Sequence, residues 1–67
     1  MDYFELAENL MDYVQIQAQD ISGNWRTYQN VLNQPQRIFA AMKEVQRMFP
    51  NFRIRAIDTN GRVIDIL

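Results

Sequence analysis

The sequence predicts an α+β domain in which a four-stranded antiparallel sheet, in the spatial order 2-1-3-4, is covered on one face by one central helix. Three patterns predict this fold. Residues 35–49 repeat apolar side chains at helical spacing, residues 13–19 alternate apolar and polar side chains, and turn residues divide each flanking region into strand-like segments. The order is ββαββ, preceded by a short N-terminal helix, and it needs only one crossover connection.

The chain has 67 residues, which suits one domain, residues 1–67, with a small core and thin stability. It contains no cysteine and no histidine, which excludes disulfides and the usual zinc sites but not a site made of carboxylates alone. Small domains without such cross-links often gain buried surface by self-association. We therefore expect a homo-oligomer, a dimer in the simplest case, or a complex with another protein.

The net charge of −1 is unevenly distributed along the chain. Residues 1–34 carry five acidic side chains against Arg26, whereas residues 35–67 carry six basic side chains against three acidic ones. This asymmetry can guide association with a charged partner or with a second copy, or it can be ordinary solvated surface.

No apolar run approaches the roughly 18 residues of a membrane-spanning helix, and the N-terminus is acidic where a signal peptide would be basic. The sequence therefore predicts no membrane association and a cytoplasmic location.

Residues 1–12 are predicted to form a helical segment, with the helix itself at about residues 3–11. Asp2 and Glu5 have the spacing of a capping box. Its apolar stripe consists either of Phe4, Ala7 and Met11 or of Tyr3, Leu6, Ala7 and Leu10. Because so short a helix is marginal alone in water, it must dock on another surface, and it is a candidate dimer contact.

Residues 13–31 are predicted to form the first hairpin. Val14, Ile16 and Ala18 alternate with polar residues, and Gly23 and Asn24 supply turn chemistry. A loop of two or four residues would place Trp25, Thr27, Gln29 and Val31 on the apolar face, and we favour this register. A loop of three residues would instead place Arg26, Tyr28 and Asn30 there.

Residues 34–49 are predicted to form the central helix. Its apolar stripe consists of Ile38, Met42, Val45 and Phe49, widened by Ala41 and Met48. The N-cap is either Asn33 or Gln34, the latter with Pro35 at the first helical position, and Pro50 ends the helix.

Residues 51–67 are predicted to form the second hairpin. A two-residue Asn60-Gly61 loop would set Ala56 opposite Asp65 and Arg55 opposite Ile66, which mixes charge with core. A three-residue loop, Thr59 to Gly61, pairs chemically matched residues, and we favour it. Its pairs are Ile54 with Ile66, Ala56 with Ile64, Arg55 with Asp65 and Asp58 with Arg62, and its helix-facing set is Phe52, Ile54, Ala56, Ile64 and Ile66. The second and fourth strands are edges, so edge-to-edge pairing is one route to a dimer.

The sheet face away from the helix is the predicted interaction surface. It should display Tyr13, Gln15, Gln17, Arg26, Tyr28, Arg53 and Arg55, with Ile57, Val63 and Leu67 toward one side. Aromatic residues and arginine are enriched at protein interfaces, so protein binding is favoured. Single-stranded nucleic acid, held by Arg26, Tyr28, Arg53 and Arg55, is the alternative. A solvated face, or one covered by the N-terminal helix or a second subunit, would carry the same residues.

Three further features have simple structural interpretations. Lys43 and Arg47, with Arg37 nearby, could bind phosphate, but Glu44 weakens that strip, and a solvated helix face is favoured. Trp25 is either a recognition anchor or a residue at the core or its edge, and the second is favoured. No histidine, cysteine or glycine-rich phosphate loop is present, so the sequence predicts no enzyme and no catalytic, cofactor-binding or metal-binding residue.

The chain resembles small bacterial and phage-borne ββαβ proteins of unknown function. The resemblance covers residues 13–67 and rests on the strand Tyr13 to Gln19, the Trp25-Arg26-Thr27 segment, the helix and the sequence MFPNFRIRAID. It implies an accessory protein whose work is binding, and it brings no active site with it. The N-terminal segment and the final strand depart from the simplest form of the family.

Overall fold

One helix lies across a four-stranded sheet in the computed structural model, which describes residues 12–67. The elements are β1 (Tyr13–Gln19), β2 (Trp25–Leu32), α1 (Pro35–Met48), β3 (Ile54–Ile57) and β4 (Val63–Ile66). The sheet order is β2-β1-β3-β4 and every neighbouring pair is antiparallel, so the predicted ββαββ topology is confirmed. The helix predicted for residues 3–11 lies outside the described residues.

Helix α1 begins and ends where the two prolines require. Gln34 is the N-cap, with extended backbone, and Pro35 follows at the first helical position, where its missing N–H costs nothing. At the other end Phe49 donates its backbone N–H to the carbonyl of Val45, and Pro50 cannot continue the helix. Of the two N-caps that the sequence allowed, the structure has Gln34.

The core lies between α1 and the two central strands. Its buried members are Val14, Ile16, Ala18, Ile38, Ala41, Met42, Val45, Ile54 and Ala56, with Val31 and Phe49 partly buried against them. The helical stripe and the alternating pattern of β1 therefore meet as predicted, except that Met48 is exposed. A helix about 10 Å wide covers about two strands at a spacing of about 4.8 Å. The helix-facing surfaces of the outer strands β2 and β4 are therefore less covered than those of β1 and β3.

The two hairpins turn through the same Asp-x-x-Gly-x sequence. In the first, Asp20 accepts hydrogen bonds from the backbone N–H groups of Ser22 and Asn24 through its carboxylate and from that of Gly23 through its carbonyl. Asp58 accepts the equivalent bonds from residues 60, 62 and 61 in the second. Gly23 and Gly61 have φ angles of 86° and 80°, in the left-handed region that favours glycine.

The register predicted for the first hairpin is wrong beside the turn. The loop has three residues, between Asp20 and Asn24, so Ala18 pairs with Arg26 and Gln17 with Thr27. A β-bulge follows, because Ile16 pairs with Gln29 and leaves Tyr28 as the extra residue. Beyond the bulge Gln29 and Val31 lie on the helix side as predicted. Trp25 and Thr27 lie on the opposite side.

The second hairpin has the predicted three-residue turn and a different register beyond it. Ile57 pairs with Val63, but Ala56 pairs with Asp65 and Arg55 with Ile66, which leaves Ile64 as an extra residue. The predicted pairs Ile54–Ile66, Ala56–Ile64 and Arg55–Asp65 are therefore wrong. Of the predicted helix-facing set only Ile54 and Ala56 are buried, whereas Phe52, Ile64 and Ile66 are exposed.

Candidate interaction surface

The sheet has a face that α1 does not cover, which we call the open face. Alternation along the strands and the observed pairing place twelve residues on it. They are Tyr13, Gln15, Gln17, Gln19, Trp25, Thr27, Asn30, Leu32, Arg55, Ile57, Val63 and Ile66.

Gln17 is the centre of a hydrogen-bond network on the open face. The residue is only 7% exposed, although its side chain is polar. Its Nε2 donates to Thr27 Oγ1 at 2.9 Å and to Gln15 Oε1 at 3.2 Å, and Thr27 Oγ1 donates to Gln15 Oε1 at 3.0 Å. Its Oε1 accepts from Arg55 Nε at 2.8 Å. Three strands are thus joined through one side chain.

The side chain of Arg55 on β3 extends across β1 to the aromatic ring of Trp25 on β2. Its guanidinium carbon lies 4.1 Å from the ring centroid of Trp25, which is within the range of a cation–π contact. The hydrogen bond from Arg55 Nε to Gln17 Oε1 holds the same guanidinium group at a second point. The guanidinium is therefore held in one plane by two independent contacts.

The part of the open face on β3 and β4 is apolar. Ile57 and Val63 pair directly, and Ile66 lies opposite Arg55. Val63 and Ile66 are 50% and 44% exposed. These three side chains form an apolar patch beside the polar network, which is the mixture that protein interfaces show.

Four of the seven predicted surface residues fall on or beside the open face. Gln15, Gln17 and Arg55 meet in the network. Tyr13, which is 44% exposed, precedes them on β1 and also borders a groove between β2 and α1. Arg53 is exposed in the segment before β3, where its carbonyl accepts the backbone N–H of Gln19.

The placement predicted for Arg26 and Tyr28 is wrong. Arg26 lies opposite Ala18, on the helix side, and its Nε donates to Asp20 Oδ2 at 3.1 Å. Tyr28 is the bulge residue of β2, and its ring centroid is 4.7 Å from that of Phe49. Leu67 also belongs to the helix side, because its N–H donates to the carbonyl of the buried Ile54.

Trp25, Thr27 and Ile66 lie on the open face although the sequence pattern did not predict them there. Trp25, expected at the core or its edge, is half-buried beneath Arg55. The signal that could have found it was the repeated spacing of aspartate and glycine. Asp20 and Gly23 stand as far apart as Asp58 and Gly61, so the three-residue loop accepted for the second hairpin also suits the first.

The fold lowers the pKa of the carboxylate of Asp20, in the first turn. The backbone N–H of Asn24 and then the side chain of Arg26 stabilise its charged form, so the pKa of Asp20 lies below its ordinary value. Arg26 and Asp20 form the only ion pair among residues 12–67. In the same residues, no three acidic side chains come close enough to hold a metal ion.

The outer surface of α1 offers one further exposed aromatic residue. Phe39 is 57% exposed and Lys43 Nζ lies 5.5 Å from its ring centroid. Arg37 is tied to Gln34 by a 2.8 Å hydrogen bond. Two of the three basic residues considered as a phosphate strip, Arg37 and Lys43, thus contact residues of their own helix or its N-cap. Within the described residues, no helix is long and apolar enough to cross a membrane.

Comparison with protein-family models, with curated sequences and with solved structures gives no match for this chain.

Proposed function

We propose that this chain is a non-catalytic protein-interaction module that self-associates through the open face. The observation that supports this proposal is the Gln17 network, which lies directly beside the apolar patch of Ile57, Val63 and Ile66. The cytoplasmic location and the accessory role in bacteria or phages stay predictions.

The network lowers the cost of covering the open face. Burying a polar group is expensive when it loses its hydrogen bonds to water without replacement. Here Gln15, Gln17 and Thr27 bond one another, and no buried side-chain nitrogen or oxygen among residues 12–67 lacks a partner. A partner can therefore displace water from this face and gain the burial of the apolar patch.

The edges of the sheet support association less well than its face. Both edge strands carry a β-bulge, at Tyr28 in β2 and at Ile64 in β4. Bulges interrupt the regular row of N–H and C=O groups that another strand would pair with. We therefore favour face-to-face association over the edge-to-edge route.

Analytical ultracentrifugation over a range of concentrations tests the proposal. We expect concentration-dependent dimerisation of the wild-type chain, which Ile66→Arg weakens because it places a charge in the apolar patch. Phe39→Ser is the matched control, since it removes an exposed apolar residue from the opposite side of the molecule. A wild-type chain that remains monomeric at high micromolar concentration would end the self-association proposal.

Binding of single-stranded nucleic acid is the second candidate. The stack of Arg55 on Trp25 favours it, because aromatic and arginine side chains on an open sheet can stack on bases. Against it, Arg26 and Tyr28 lie on the helix side. Titration with single-stranded RNA and DNA at low salt decides the matter, since electrostatic binding is strongest there and its absence rules this function out.

A further inference from the structure

We infer that Arg55 is a carboxylate-binding site and that its ligand is the acidic segment of residues 1–11 from a second copy of this chain. The inference rests on the proposed self-association and names the contact that carries it. Four observations lead to it.

The first observation is that Arg55 is already held in the pose that binds a carboxylate. Arginine binds carboxylates with two parallel hydrogen bonds from its planar group, and fixing that plane beforehand reduces the entropy lost on binding. Gln17 and Trp25 fix it. Arg55 uses Nε for Gln17, and within residues 12–67 no side chain accepts from its two terminal amino groups.

The second observation is that the bulge in β4 places the carboxylate of Asp65 on the face opposite to Arg55. Without the bulge, Asp65 would lie opposite Arg55 on the same face. Because Ile64 is the extra residue, Asp65 pairs with Ala56 on the helix side, and its Oδ1 accepts the backbone N–H of Ile66. A carboxylate that pairs with Arg55 therefore comes from outside the described part of the chain.

The third observation is the charge of the two parts of the chain. Residues 12–67 carry seven basic and five acidic side chains, a net charge of +2. Residues 1–11 carry Asp2, Glu5 and Glu8 and no basic side chain, a net charge of −3. These acids stand among Tyr3, Phe4 and Leu6, so the same segment offers carboxylates for Arg55 and apolar side chains for the neighbouring patch.

The fourth observation is the size of the open face. Four strands at a spacing of about 4.8 Å and about five residues in length cover on the order of 350 Å² per copy. Two such faces together bury roughly 700 Å², whereas specific, stable interfaces bury about 1,200 Å² or more. An eleven-residue segment exchanged between two copies adds the area that the faces lack.

Charge reversal in the full-length chain tests the inference. One variant carries Arg55→Glu, and the other carries Asp2→Lys, Glu5→Lys and Glu8→Lys together. Each variant alone sets like charges against one another at the contact, so we expect its dimer dissociation constant to rise at least tenfold. An equimolar mixture sets opposite charges against one another in both directions, so we expect heterodimers at the wild-type affinity. Lys43→Glu, on the helix surface, is the control and should leave dimerisation unchanged.

Trp25 provides a second readout, because it is the only tryptophan and lies under Arg55. In the wild-type chain, we expect quenching of its fluorescence by acrylamide to fall as the dimer forms. The lysine variant alters no residue of the described fold, so its quenching should stay at the level of the monomer at every concentration. Circular dichroism confirms that each variant is folded.

The outcomes separate this inference from the proposed function. A wild-type dimer that neither charge reversal weakens, or a mixture that restores nothing, overturns the inference and leaves self-association standing. A monomeric wild type overturns both. If that monomer shows protected Trp25 fluorescence that the lysine variant abolishes, the acidic segment binds within its own chain, and the second-copy assignment is wrong.

Discussion

At the scale of single residues, Gln17 is the buried polar side chain of the described fold, and its two amide atoms serve different strands. Removing it leaves the Nε of Arg55, a partly buried residue, without this hydrogen-bond partner. We expect Gln17→Ala to lower the free energy of unfolding by about 1–2 kcal/mol, as measured by urea denaturation.

Gln15→Ala is the control for that measurement. Gln15 lies on the same strand and the same face, but its side chain is exposed, so water replaces what it loses. Its cost should stay within about 0.5 kcal/mol. If both variants lowered the free energy of unfolding by the same amount, the burial of Gln17 would make no difference to the strength of its contribution.

Asp20 makes stability depend on pH at the acidic end. Its pKa is lowered in the folded state, mainly by the Asn24 N–H and next by Arg26, so the unfolded chain takes up the proton first as pH falls. This contribution is complete above the unfolded value, near pH 4, and is lost as pH drops through the lower folded value.

We therefore expect the wild-type chain to lose stability more steeply than Asp20→Asn as pH falls below about 4. Arg26→Gln should show an intermediate slope, because the Asn24 N–H remains. Thermal unfolding followed by circular dichroism at each pH gives the slopes. Parallel curves for wild type and Asp20→Asn would contradict this account.

At the scale of elements, the β4 bulge makes a clear prediction about chain length. Asp65 already pairs with Ala56, so deleting Ile64 removes the extra residue and leaves every other pair in place. Ile64 is 42% exposed, and we expect a loss of about 1 kcal/mol in the free energy of unfolding from its remaining burial.

A strand without the bulge would respond differently to the same deletion. Ile64 would then pair with Ala56 in the wild-type chain, and the deletion would replace that buried isoleucine with Asp65, so the loss in the free energy of unfolding would exceed about 1 kcal/mol. Deleting Ala56 from the central strand β3 is the control, because it moves Arg55 to the buried face and should abolish folding. Urea denaturation of the three chains distinguishes these cases.

The elements could be predicted from sequence, whereas the positions of the bulges could not. The stripe of Ile38, Met42 and Val45 and the alternation of β1 are direct consequences of backbone period, so they give the helix and the strand at once. A bulge changes pairing without changing the sequence pattern on either side of it. Val63 to Leu67 is nearly all apolar, so alternation alone cannot say which of its residues is skipped.

The positions of the bulges also explain which residues of the open face could be predicted from the sequence. The network residues Gln15, Gln17 and Arg55 lie on strands whose faces the core fixes, and they were predicted together. Arg26 lies on edge strand β2 between the turn and the bulge, where the register is shifted by one residue, and Tyr28 is the bulge residue itself. A shift of one residue exchanges the two faces, which is why Trp25 and Thr27 stand where Arg26 and Tyr28 were expected.

At the scale of the whole molecule, one small core carries the described fold. Ile54 is fully buried against residues of α1 and β1, and replacing a buried isoleucine with alanine costs about 2–5 kcal/mol. Small domains have total stabilities near the low end of about 5–15 kcal/mol. We therefore expect Ile54→Ala to be largely unfolded at 25 °C or to lose most of its thermal stability.

Ile21→Ala is the matched control for that core variant. Ile21 lies in the first turn and is 89% exposed, so the same chemical change should alter the free energy of unfolding by less than about 0.5 kcal/mol. Circular dichroism melts of both variants test the contrast. Similar melting temperatures would mean that the core between α1 and the sheet does not hold the domain together.

The two aspartate-closed turns also bear on the order of events during folding. Each keeps its hydrogen bonds within five residues, so it can close before any distant part of the chain arrives. Hairpins form in about 1–10 μs, ahead of contacts between remote segments. Zipping onward from the second turn would first bring Ala56 opposite Ile64, the pairing that the finished sheet does not have. Closure of the turn and choice of register are thus separate events.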